Sequence, residues 1–379
     1  MKIRIDAAPF AAAVADAARA LPARPPAPVL AGLKLTAADN RLAVAAFDFE
    51  LSAQAEIPAE VADAGSVLVS GRLLSDITRT TKGINTVDLD LDGQRLILTA
   101  GNTRYTLQTL PLEEYPTLPQ LAAPSGTVAS ADLAEAVAQV ALAACRDDTL
   151  PVLTGIQLTL KGSDITLAAT DRYRFAVRTI PWTSTSDTAT GQALVPAKAF
   201  LDTAKMLADA EQIHLTLPAD TGVLGLAGPT RHTTMRALDG KLPAHDKLWP
   251  TEFHATATLD TSDLVAAVKR VALVTARGQH IQLHFSASGT LTLTAGSSDD
   301  AQARDRIDVT YDSVDGAPLT LAFNPAFFLD GLAALDTEAV RLQIVSPTAP
   351  AVLTGANADG SDPGSSSLNY LLMPIRLSG

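Results

Sequence analysis

The sequence predicts an α+β protein built from three tandem copies of one domain, each with two helices packed on antiparallel sheets. Three recurrences carry this reading. A helix–turn–strand segment returns after about a third of the chain, a short strand feeding a second helix returns behind it, and every copy closes on alternating apolar strands. The 379 residues suit two or three domains, and 47% hydrophobic content can build a large core. Aromatics supply only 4%, so that core must be aliphatic.

The elements follow in order. The opening MKIRID alternates as a strand does and lacks the basic-then-apolar order of a secretory leader. From Phe10, FAAAVADAARALPARPPAPVLAGLKL reads as a helix, a basic residue, a Pro-containing turn and a strand. From Leu133, LAEAVAQVALAACRDDTLPVLTGIQL repeats that order, with Pro151-Val152-Leu153 over Pro28-Val29-Leu30. From Leu264, LVAAVKRVALVTARGQHIQLHF keeps the helix, the basic end and the strand but loses the Pro-Val-Leu turn. The next strands also match, RLAVAAFDFELSAQAEI over DITLAATDRYRFAVRTI, with Asp48 over Asp171 and a weaker third copy from Thr290. The second helices lie in SVLVSGRLLSDITRTT, QALVPAKAFLDTAKML and LTLAFNPAFFLDGLAAL, each entered from a short apolar strand. Closing strands such as TVDLDLDGQRLILTAGNTRYTLQTL carry Asp-Gly and Ala-Gly pairs where hairpin turns belong. Pro-rich linkers at 116–126 and 242–253 divide the chain into domains 1–123, 124–252 and 253–379. The Gly/Ser-rich 355–369 stretch reads as a mobile loop before the last strand.

Several function classes fall away. No apolar run reaches the ~18 residues of a membrane span. One cysteine, Cys145, precludes an internal disulfide and suits a reducing cytoplasm. It lies in an Ala/Leu helix without a neighbouring histidine and reads as a small core residue. The six histidines show no metal-ligand spacing, so no metal or other cofactor is expected. No Gly-x4-Gly-Lys-Ser/Thr run is present for a nucleotide phosphate. Asp171 beside Tyr173, with His214 and His232 in the same third, suggests acid–base chemistry, yet the aspartate recurs at Asp48 between phenylalanines, which fits a turn cap better. No catalytic residue is expected. A net charge of −12 argues against a protein basic throughout, although the local field at a contact surface decides nucleic-acid binding.

The whole chain resembles the bacterial DNA polymerase III beta subunit, the beta sliding clamp, of actinobacterial type. The resemblance rests on Arg24-Pro25 with Pro28-Val29-Leu30, on Asp147-Asp148-Thr149-Leu150-Pro151-Val152-Leu153, and on Ala169-Thr170-Asp171-Arg172-Tyr173-Arg174. Leu110-Pro111 with Glu113-Glu114-Tyr115-Pro116, Phe323-Asn324-Pro325 and the terminal Tyr370-Leu371-Leu372-Met373-Pro374-Ile375-Arg376-Leu377 add to it. It implies a non-catalytic processivity factor: a cytoplasmic homodimer that closes head to tail into a ring, encircles duplex DNA without sequence preference and stays off membranes. Helices would line the hole, and phosphate attraction without base readout would permit sliding. The candidate DNA contacts, on or beside the repeated helices, are Arg24, Arg72, Arg79, Lys82, Arg146, Lys198, Lys205, Lys269, Arg270 and Arg277. The second helix of the third copy has no basic residue, and Ala326 stands where the family often has one.

The resemblance also implies a cleft through which the replicative polymerase and the clamp loader bind by short linear motifs rich in Gln, Leu and Phe. Its expected residues are Leu153, Thr170, Arg172, Tyr173, Arg174, Phe175, Pro243, Lys247, Leu248, Val345, Pro350, Leu371, Met373, Pro374, Ile375 and Arg376. Apolar members would accept the partner's side chains and the basic edges would orient its backbone or carboxylates. A small-molecule or cyclic-peptide inhibitor could occupy the same cleft. Dimer contacts are expected from Tyr105 and Leu107 to the partner subunit's third domain near Leu273 and Val274. Phe175, His245 and Trp249 depart from the family's usual residues, which leaves open a specialised second-copy clamp with an altered cleft. A repeat-built binding scaffold without a DNA role is the other alternative.

Overall fold

Each second helix is entered from a short apolar strand. In the clearest case Asn324 accepts the amides of Ala326 and Phe327 while Pro325 occupies the first turn, and a left-handed Asp336 ends the helix. A computed structural model describes residues 1–186, 190–218, 222–244, 248–276, 279–296, 301–362 and 368–377. It contains six α-helices among them: α1 (Ala7–Ala17), α2 (Gly71–Arg79), α3 (Ser130–Ala141), α4 (Ala197–Met206), α5 (Thr261–Ala272) and α6 (Pro325–Leu335). The expected Pro-Val-Leu turns are short 3-10 helices, Pro28–Ala31 and Pro151–Thr154. Each first helix is entered from a strand: Lys2–Asp6, Gly126–Ala129 and Ala255–Asp260. Residues 363–367 of the expected mobile loop lie outside the described residues.

The chain forms two compact units. One comprises Met1–Ala134, Trp182–Ala189 and Lys198–Ala237, and carries a 14-stranded antiparallel sheet. Within it, α1 and α2 pack together over an aliphatic core around Phe10, Val14, Leu33, Leu74 and Leu98. The Leu51–Pro58 strand of the first repeat pairs with Arg231–Arg236 of the second, placing Ser52 opposite Thr234. Their hydroxyls lie 2.6 Å apart and buried. The linker covers this junction. Leu121 sits so close to Gly225 that a Cβ there would come within 2.3 Å of it. Tyr115 packs with Val29, Leu30 and Leu68 and accepts the Phe47 amide at 2.8 Å, while burial pushes its phenol up to about 12.

The other unit comprises Glu135–Pro181, Thr190–Ala197 and Leu238–Gly379, with a nine-stranded and a four-stranded sheet, both antiparallel. Here the Arg174–Pro181 strand of the second repeat pairs with Asn369–Leu372 of the third, placing Phe175 opposite Leu371. Strands of the second repeat therefore occur in both units, because the sheets run continuously across the joins between repeats. Asp48 and Asp171 do cap turns. Each offers Oδ1 to two following amides, and the residues after them, Phe49 and Arg172, have φ of 76° and 81°.

Candidate functional site

Alternation along the Arg174–Pro181 strand gives its two faces different work. Phe175 and Val177 face one way and join Ala168, Leu194, Leu242 and Leu371 in an apolar cluster, flanked by Val152, Leu153, Leu238 and Trp249. The segment after the second repeat lies over this face, since the Leu242 amide donates to the side chain of Gln157 at 2.8 Å. The Trp249 ring meets Phe175 edge-on, with centroids 6.5 Å apart. Beside it opens a recess of about 380 Å³ lined by Val177, Trp249, Pro250, Phe253, Gln343, Val352 and Asn369. Apolar walls with a few polar groups are what a linear peptide's anchor side chains require.

The expected cleft residues are distributed over several settings, and none of them lines the recess. Leu153, Phe175 and Leu371 share the cluster. Val345 and Pro350 are half-buried in the turn joining the Ala339–Ile344 and Ala351–Ala356 strands. Leu248, Pro243 and Arg376 are exposed, and Lys247 lies outside the described residues. Met373, 37% exposed, donates its amide to the Tyr173 carbonyl at 2.8 Å, tying the tail to the turn at Arg172 and Tyr173. Tyr173 is 57% exposed and stacks on Phe327. Pro374 is buried, and Ile375 donates to Ala322, so these two anchor the tail to the core. Thr170 is buried, where its hydroxyl donates to the Arg174 carbonyl and accepts the Arg172 amide, which shapes the turn.

Arg174 departs from expectation. It points to the opposite face from Phe175 and is 5% exposed, so it is no rim group for a partner's carboxylate. Its guanidinium binds Asp171 at 2.9 Å and Asp330 at 2.6 Å, approaches the Tyr370 hydroxyl at 3.3 Å, and lies 4.4 Å from the Phe327 ring centre. Burial works against its charge, but Tyr370, Asp330 and Asp171 offset that and hold its pKa above the ordinary arginine value. Val177, Leu194, Leu242 and Val352 were missing from the expected set. Val177 was legible as the same-face neighbour two residues beyond Phe175.

The nine described basic candidates are all exposed, and Arg277 lies outside the described residues. Arg72 and Arg79 stand on α2, Lys198 and Lys205 at the matching positions of α4, and Lys82 just after α2. Lys269 and Arg270 end α5, while Arg24 and Arg146 occupy the loops after the first helices. Arg72 donates to the Ala23 carbonyl at 2.7 Å and so braces the Arg24 loop. Arg79 pairs with Asp76 and Arg270 with Asp305, which reduces their free charge. The matching positions of α6 are Ala326 and Ala333. Among the expected dimer contacts, Leu273 is 85% exposed and Val274 half-buried. Leu107 is a core residue paired with Leu96, and Tyr105 packs partly against the same core, so Leu107 presents no side chain to a partner.

No groups of His, Cys, Asp and Glu suited to a metal ion occur among the described residues. No helix of the described residues is long and apolar enough to cross a membrane.

Models of the DNA polymerase III beta subunit match in three parts: its N-terminal domain at residues 1–119, central domain at 127–244 and C-terminal domain at 246–376. The chain is 48% identical over 382 residues to the beta sliding clamp of Streptomyces coelicolor, with 100% of both covered. It is 37% identical over 376 residues to the beta sliding clamp homolog GriR of Streptomyces muensis, with 99% of each covered. A solved Pseudomonas aeruginosa sliding clamp bound to griselimycin superposes with a TM-score of 0.89 and full coverage of both chains at 24% identity, a likeness of fold.

Proposed function

Because the chain belongs to the DNA polymerase III beta subunit family, we propose that the recess beside Phe175 and Trp249 is where it holds its replication partners. The protein is a DNA sliding clamp, a processivity factor with no catalytic role of its own. Polymerase and clamp loader would each insert a short Gln/Leu/Phe-rich segment into this apolar face, with Leu248, Met373 and Arg172 at its exposed rim. The same recess is the seat we assign to a cyclic-peptide inhibitor. Three domains with boundaries near 123 and 252, a cytoplasmic location and a head-to-tail homodimer complete the reading. The exposed basic residues of α2, α4 and α5 and of the Arg24 and Arg146 loops then supply weak phosphate contacts to passing duplex DNA. The full-length family match sets aside a scaffold without a DNA role, and no observation favours a specialised second copy.

The carrying observation is a sheet whose one face presents the apolar cluster while the other is gripped by helices. Fluorescence titration of a labelled Gln-Leu-Ser-Leu-Phe peptide tests the cleft. Phe175→Ala and Met373→Ala should each weaken binding by about 1.5–3 kcal/mol, roughly one to two orders of magnitude in Kd. Unchanged affinity in both would place the site elsewhere. Encirclement is tested by loading the protein on circular DNA, where linearisation should release it and nicking should not.

A further inference from the structure

We infer that Asp330 of α6 is a positioning residue for the partner cleft, acting through Arg174 from the far side of the sheet. The inference rests on the cleft reading above and adds a residue that does not line the recess.

The connection is a chain of direct contacts. The Asp330 carboxylate, with a side chain 37% exposed, holds the Arg174 guanidinium at 2.6 Å. Arg174 holds Asp171 through Oδ2 at 2.9 Å, and Asp171 uses its other oxygen to accept the amides of Tyr173 and Arg174. The carbonyl of Tyr173 then receives the amide of Met373 at the exposed rim. Helix α6 contributes two more supports. Phe327 lies under Arg174 and stacks on Tyr173, and its carbonyl accepts the Tyr370 hydroxyl at 2.9 Å. A buried guanidinium with several fixed partners favours one arrangement of its surroundings. Here those surroundings include the turn and tail that form the cleft rim.

The internal repeat supplies an independent comparison. Asp76, Asp202 and Asp330 are each the sixth residue of their helix. Leu51 and Arg174 each begin the strand that crosses a join between repeats. At the first join, where Ser52 and Thr234 replace the apolar pair, the strand begins with Leu51, which offers no guanidinium to Asp202 on the helix of the following repeat. The arginine link from helix to turn accompanies the cleft.

The test uses the full-length protein and the labelled Gln-Leu-Ser-Leu-Phe peptide. Asp330→Asn should weaken binding about threefold to thirtyfold, and amide exchange at Met373 should accelerate. Asp330→Glu should restore affinity to within about twofold of wild type. If Asp330→Asn does not fold, Phe327→Leu removes the ring beneath Arg174 and should show the same loss. Wild-type affinity in the folded variant, even with a lowered melting temperature, would make Asp330 a structural residue and overturn the inference. Phe175→Ala serves as the control: if it too binds normally, the cleft reading itself has failed, whereas a loss there alone defeats only the role of Asp330.

Discussion

Gly331 shows how closely single residues are fitted. A Cβ at this position on α6 would stand 2.6 Å from the Tyr370 ring, which is buried against the helix. Gly331→Ala should therefore cost about 1–3 kcal/mol by overpacking, despite alanine's better helix propensity. Urea unfolding would measure it, and a gain in stability would contradict the packing described. At this scale the sequence was informative where a feature recurred. Asp48 and Asp171 were legible as turn caps because one lacked the other's neighbours. Arg174 was misplaced because Asp330, 156 residues away, gives no local sign of the pairing. Leu107 was misread because alternation puts Tyr105 and Leu107 on one face without saying whether that face is core or partner.

Among elements, α5 carries a charged side-chain cap at its start. Asp260 accepts the Asp263 amide at 2.9 Å and the Ser262 hydroxyl at 2.7 Å, and the Asp263 amide chiefly holds its carboxyl below the usual range. Asp260→Ala should cost about 1 kcal/mol in thermal or urea unfolding. Since folding depresses this pKa, the contribution is present above the ordinary carboxylate range and is lost as pH falls through the folded value. The difference between wild type and Asp260→Ala should thus shrink in acid; a constant difference would rule out the charged cap. The repeated helices and turns were legible from their spacing. The Gly126–Ala129 and Ala255–Asp260 strands were not, because short runs rich in Ala, Thr and Gly give a weak alternating signal.

For the molecule as a whole, Leu273 and Leu107 separate assembly from folding. Leu273→Glu changes a side chain 85% exposed and should convert the proposed dimer to a folded monomer by analytical ultracentrifugation. Leu107→Glu buries a charge in the first unit's core and should destabilise folding outright. A Leu273→Glu protein that remains dimeric would remove Leu273 from the interface. The threefold organisation was visible in the sequence because duplication preserves the order of elements. Continuity of the sheets between repeats was not, since strand pairing such as Phe175 with Leu371 joins residues far apart in the chain.

The two joins between repeats are alike in backbone pairing and different in chemistry, hydroxyls at Ser52 and Thr234 against Phe175 and Leu371. If partners bind at the second join, as we propose, that difference sets the valency of the assembly. On the cleft reading proposed above, each chain offers one adhesive berth, so a dimer offers two, and a third client must wait for a vacancy. On that reading, two polar side chains in the first join limit how many enzymes can queue at one point on the DNA.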